Sequence, residues 1–146
     1  MTIIHGDLLV DQNDNLTNLL PLTNLLYAND LRIRINPSLT NLSGLENITS
    51  CEYVDIYANG SLTNLSGLNG LTTIGGLNIE QNGNLVSLSG LNDGVIIEGS
   101  LFIEENVNLI NLSGLEMIDS LGGTLRISYN NSLTNLSGLD LSLIHI

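Results

Sequence analysis

The sequence has no lysine and no tryptophan. It has one cysteine, one phenylalanine, two prolines and two histidines in 146 residues. Its only strong bases are Arg32, Arg34 and Arg126, against fifteen acids, for a net charge of −12. Nothing in such a chain neutralises a run of phosphates, which excludes a basic-groove nucleic-acid binder. It also disfavours docking on anionic lipid. Cys51 stands alone, so there is no disulfide framework, thiolate metal cluster or CxxC redox pair, and it reads as a small core residue. His5 and His145 lie at opposite ends and assemble no catalytic dyad or triad. No apolar run approaches the roughly 18 residues of a membrane span, and MTIIHGDLLV lacks the basic start and long apolar stretch of a signal peptide. Charged residues are only 12% of the chain. What fills it is Leu, Ile and Val, with Asn and Ser at the polar positions, which is too apolar for disorder.

The apolar residues are strictly periodic. LTNLSGL occurs at 39–45, 62–68 and 133–139, with LVSLSGL at 85–91 and LINLSGL at 109–115. An asparagine precedes each copy: Asn13, Asn36, Asn59, Asn82, Asn106 and Asn130, in steps of 23, 23, 23, 24 and 24. Five residues before it stand Leu8, Leu31, Val54, Leu77, Leu101 and Leu125; three before it, Val10, Ile33, Ile56, Ile79, Ile103 and Ile127. The positions three, six and nine after it are leucine in every copy.

Two apolar residues separated by one read as a short strand with alternate faces. The Asn marks a turn in which its amide satisfies backbone groups, and stacked turns make a ladder of such amides. The spacing of three in L-x-x-L-x-G-L suits extended or 3₁₀-like backbone, with Gly44, Gly67, Gly90, Gly114 and Gly138 at a tight corner and Pro21 in the first copy. One repeat cannot bury enough to offset its own ordering, so stability comes from stacking. The expected fold is all-β: a right-handed parallel β-solenoid of six 23–24-residue repeats, one short strand per repeat, an internal Asn ladder and little or no α-helix. Residues 1–140 form a single domain in this reading.

This pattern resembles the leucine-rich solenoids, and more closely the receptor-L-domain-like repeats of secreted and surface proteins, over Gly6 to about Leu139. It departs from the ordinary leucine-rich pattern, which places Leu two rather than three residues after the Asn, and it lacks the cysteine modules flanking animal receptor domains. The resemblance implies a parallel solenoid that binds proteins or glycans on its sheet face, an extracellular or surface setting, and no catalysis.

Neither end reads as a polar cap. Residues 141–146, LSLIHI, break the repeat and match the in-frame translation of a transposon end used in sequencing libraries. They are expected to be an adapter-derived tail on a truncated reading frame, with Met1 an internal methionine. Uncapped end coils lead to an expectation of end-to-end self-association.

Other constellations lead nowhere. Asp11-x-Asn13-x-Asn15 opens like a calcium loop, but Leu16 stands where Gly is needed. Asn-x-Ser/Thr sequons recur at Asn15, Asn41, Asn47, Asn59, Asn64, Asn111, Asn130 and Asn135, mostly as by-products of the repeat, with Asn59 and Asn130 expected to be buried. A polysaccharide-cleaving β-helix wants clustered bases or a carboxylate calcium site. An ice-binding solenoid wants a Thr-x-Thr array, which the outward strand positions lack. No cofactor or metal is expected.

The variety lies at those outward positions, six, four and two before each Asn. They hold all three arginines, the one Phe and two of the four tyrosines. The candidate ligand-binding face is Arg32, Arg34, Tyr53, Asp55, Tyr57, Asn78, Glu80, Phe102, Glu104 and Arg126, since Tyr and Arg are common interface anchors. Three functions fit: a binding or adhesion module for protein or glycan, a structural spacer that displays another domain, or the non-catalytic part of a carbohydrate-active enzyme.

Overall fold

Residues 2–118 and 120–139 are described by a computed structural model. The suspected tail at 141–146 and His145 lie outside them. The chain winds as a parallel β-solenoid with a repeat of about 23 residues, because the apolar columns leave no other way to bury every coil. One strand per repeat builds the main sheet: β2 (Leu8–Asp11), β4 (Asp30–Arg34), β5 (Ser50–Tyr57), β6 (Thr73–Glu80), β8 (Leu101–Glu104) and β10 (Leu125–Ser128), paired in that order and all parallel. Leu8, Leu31, Val54, Leu77, Leu101 and Leu125 stand opposite one another, as do Val10, Ile33, Ile56, Ile79, Ile103 and Ile127. A one-residue slip would turn each of these side chains outward, so the apolar pattern enforces the register.

A second ladder, unread in the sequence, runs beside the first. β1 (Thr2–Ile3) pairs with β3 (Leu25–Tyr27), and the start of β5 pairs with the start of β6, then β7 (Ile96–Ile97), then β9 (Ser120–Leu121). Its inward column is Ala28, Cys51, Ile74, Ile97 and Leu121, fifteen residues after each ladder Asn. From Cys51 to Val54 and from Ile74 to Leu77, three steps apart, the chain runs through as one long strand, whereas from Ala28 to Leu31, also three steps, β3 and β4 stay separate. In the last two repeats there are four steps, Ile97 to Leu101 and Leu121 to Leu125, and the strand breaks in two. The 24-residue repeats therefore carry their extra residue at this corner.

None of the described residues is α-helical; one 3₁₀ turn, Leu20–Leu22, contains Pro21. The core is a continuous column of Leu, Ile and Val from Leu19 to Leu115. The outer coils are less covered: Leu8, Val10, Leu125 and Ile127 are half-buried and Leu136 is 55% exposed.

The asparagines close the turns. Asn36, Asn59, Asn82 and Asn106 are wholly buried. The backbone N–H of Asn59 donates to Oδ1 of Asn82 at 3.0 Å, while Nδ2 of Asn59 donates to the Ile33 carbonyl of the preceding coil at 2.9 Å. The pattern repeats from Asn13 to Asn130. Asn130, expected to be buried, is half-buried, and Asn13 is exposed, because each sits in an outermost described coil. The residue before each asparagine has φ near +55°: Gln12, Ile35, Ala58, Gln81, Glu105 and Tyr129. None is glycine. This left-handed step turns the asparagine inward, and the coil stacking holds it there at the expense of local backbone energy.

Candidate functional site

Alternation along the main strands leaves three rows of side chains on the outer face. The middle row reads Leu9, Arg32, Asp55, Asn78, Phe102, Arg126; the row nearest the asparagines reads Asp11, Arg34, Tyr57, Glu80, Glu104, Ser128. In the third row Asp30, Tyr53 and Gly76 are neighbours. All ten candidate residues lie on this one face. They fall into two groups.

The first is centred on Asp55, which is 9% exposed and engaged on both oxygens. Oδ1 accepts a hydrogen bond from Asn78 Nδ2 at 3.0 Å, and Oδ2 lies 3.3 Å from Arg34 Nε in an ion pair without hydrogen-bond alignment. The Arg34 guanidinium sits 5.0 Å above the Tyr57 ring centre. That contact is worth about 0.5–1 kcal/mol at a partly exposed site. Arg32 donates to Asp30 at 2.6 Å and lies 3.9 Å from Asp7. The bond to Asp30, more than any longer-range charge, holds the Arg32 guanidinium above its usual basicity. Tyr53 spreads its ring over Gly76, where a Cβ would press on it at 3.0 Å. Burial, and then the Asp55 charge, raise its phenol above the usual tyrosine value.

The second group is smaller. Arg126 lies 5.0 Å above the Phe102 ring and 3.4 Å from Glu104, which also accepts a hydrogen bond from Ser128 Oγ at 3.1 Å. Glu80 and Glu104 are register partners, and the acids of the face outnumber its arginines.

What the face offers chemically is stacking surface and hydrogen bonding. Tyr53, Tyr57 and Phe102 are half-buried, with ring area left to the solvent, and Arg32 and Arg34 keep about 40% of their side chains accessible. No group of three or more metal-ligating side chains occurs among the described residues.

Sequence reasoning passed over a groove of about 390 Å³ on the second ladder, where Tyr27, Glu52, Thr73 and Glu98 surround the Gly75 backbone. The apolar column fifteen residues after each asparagine was the signal that would have located that ladder. Cys51 lines the same groove from within; burial, then the Asp30 charge, push its thiol up to about 11, so it is a poor nucleophile near neutral pH. The chain matches no family model, no curated protein and no solved structure.

Proposed function

We propose that the chain is a non-catalytic binding or adhesion module of a larger secreted or surface protein, recognising protein or glycan through the outer face of its parallel sheet. The observation that carries this reading is the clustering of Arg34, Tyr57, Asp55, Asn78 and Tyr53 on adjacent strands of an otherwise monotonous solenoid. A guanidinium stacked on the Tyr57 ring, with the Asp55 carboxylate and the Asn78 amide in the next row and the Tyr53 ring in the row beyond, is a preorganised surface for a sugar ring or a peptide side chain. The sequence resemblance to receptor-L-domain-like repeats points the same way.

A specific observation favours the alternative of a structural spacer. Each arginine of the face already has an acidic partner: Arg32 with Asp30, Arg34 with Asp55, Arg126 with Glu104. Arginines already paired with acids of the same face need no ligand to neutralise them.

A glycan and protein array screened with the full chain separates the two. Binding lost in both Tyr53→Ala and Arg34→Ala, and kept in Asp93→Ala on an exposed loop, supports the module. Binding that survives both face substitutions places the site elsewhere, and a folded chain that binds nothing favours the spacer.

A further inference from the structure

On the sheet face Arg32 pairs with Asp30, Arg34 with Asp55 and Arg126 with Glu104. Two acids of that face, Asp11 and Glu80, have no ion pair among the described residues. Asp11 stands in register with Arg34, whereas Glu80 stands between Tyr57 and Glu104. Like charges directly opposite in a sheet repel, and the chain has no lysine to relieve them. Among the described residues the one side-chain hydrogen bond to Glu80 comes from Asn78 Nδ2 at 3.4 Å. That amide is engaged more closely by Asp55, at 3.0 Å.

On either side of this strand the face builds one arrangement twice. Tyr57 and Asp55 sit two apart on β5, and Arg34 reaches both from the preceding coil, 5.0 Å from the ring centre and 3.3 Å from the carboxylate. Phe102 and Glu104 sit two apart on β8. Arg126 reaches both from the following coil, 5.0 Å from the ring centre and 3.4 Å from the carboxylate. Each arginine is shared between a ring and an acid, and each comes from the coil away from β6. Strand β6 lies between the two arrangements and has no ring and no arginine of its own. It supplies the carboxylate of Glu80; its neighbours supply the rings, Tyr57 beside Glu80 and Phe102 beside Asn78. The guanidinium is the part that is missing.

We propose that this place receives an arginine side chain of a partner protein, its guanidinium held by Glu80 and laid against Tyr57 and Phe102. The inference rests on the sheet face being the binding surface, and it chooses protein over glycan as the ligand. Charge carries the choice. A neutral sugar leaves Glu80 and Glu104 repelling one another, whereas a cation offsets both. The net charge of −12 draws a basic partner toward the chain. A guanidinium suits the place better than an ammonium, because its plane stacks on a ring while its edge bonds a carboxylate. Tyr57, Glu80 and Phe102 are all half-buried, so packing restrains each of them and still leaves it accessible.

The test titrates the full chain with N-acetyl-arginine amide and follows its backbone amides by NMR. Shifts centred on Tyr57, Glu80 and Phe102 are expected. N-acetyl-lysine amide should act more weakly, and N-acetyl-citrulline amide, the neutral isostere, should have no effect. Glu80→Gln is expected to weaken arginine binding about tenfold, as the loss of one charged hydrogen-bond partner does. Asp93→Asn removes the same charge from an exposed loop and leaves binding unchanged. Because Glu80→Gln relieves the repulsion with Glu104, its Tm is expected to be no lower than that of the unaltered chain, which separates lost binding from lost fold. The citrulline comparison needs no variant at all. Equal shifts with citrulline, arginine shifts spread over every surface carboxylate, or undiminished binding in Glu80→Gln overturn the proposal. Chitopentaose moving these resonances where arginine moves none overturns it in favour of a glycan and keeps the sheet face as the binding surface. A sheet face that neither probe moves overturns the proposal and counts against that reading as well.

Discussion

The backbone N–H of Asn82 donates to Oδ1 of Asn106 in the next coil at 3.1 Å, while Nδ2 of Asn82 reaches back to the Ile56 carbonyl at 2.9 Å. Its Oδ1 accepts the Asn59 N–H at 3.0 Å and its Nδ2 also lies 3.3 Å from Asn106 Oδ1, so this fully buried residue joins three consecutive coils. Asn82→Ala removes the acceptor for Asn59 N–H and the donor to Ile56 O at a fully buried position. The expected loss is about 1–3 kcal/mol of unfolding free energy. Exposed Asn84→Ala is expected to cost less than about 0.5 kcal/mol. Urea denaturation of the two variants checks it, and equal midpoints would refute the structural role of the ladder.

Ile35 is the costliest of the left-handed residues. It is β-branched at φ +52°, and the residue is 40% exposed, so little packing compensates. Its N–H donates to the Tyr57 carbonyl at 2.9 Å, a bond asparagine preserves. Ile35→Asn is expected to stabilise the chain by about 1 kcal/mol, since Asn tolerates this conformation and β-branched residues do not. A lower melting temperature for Ile35→Asn than for the unaltered chain would count against the strain.

Gly67 combines a φ of +115° with close approach to the coil below, where a Cβ would collide with the Leu42 carbonyl. Backbone strain of about 1–3 kcal/mol and overpacking of a similar size make Gly67→Ala severely destabilising. Gly83 has open space around its Cβ position and no positive φ, so Gly83→Ala is expected to be neutral or to stabilise by about 0.4–1 kcal/mol. Thermal melts of the pair give the comparison; similar shifts for both would argue against the close stacking of the glycine corners.

Cys51 makes stability depend on alkaline pH. Its thiol titrates near 11 in the folded chain against an ordinary value of 9.0, chiefly because burial disfavours the thiolate. Between those values the unfolded chain has released the proton and the folded chain still holds it, so stability falls as pH rises from about 9 to 11. Cys51→Ala is expected to flatten that part of the profile. A thiol reagent at pH 8 should label Cys51 only at the rate of opening; rapid labelling of the folded chain would contradict its burial.

The sequence alone was enough for the coil and its register, because each apolar column repeats at constant distance from an asparagine and only parallel stacking buries all of them. It also placed Arg34, Tyr57 and Asn78 on one face, since alternation along a strand is a local property. It did not show that Arg34 pairs with Asp55 while lying over Tyr57, nor that Arg126 pairs with Glu104 while lying over Phe102. Those relations join residues about 23 apart in sequence, and they depend on how each corner turns. The left-handed step at Ile35 and its equivalents, the single added residue between Ile97 and Leu101, and the glycine seated on Leu42 set those corners. Each is stable only because the neighbouring coil is already in place, so tertiary packing decides it and local preference does not.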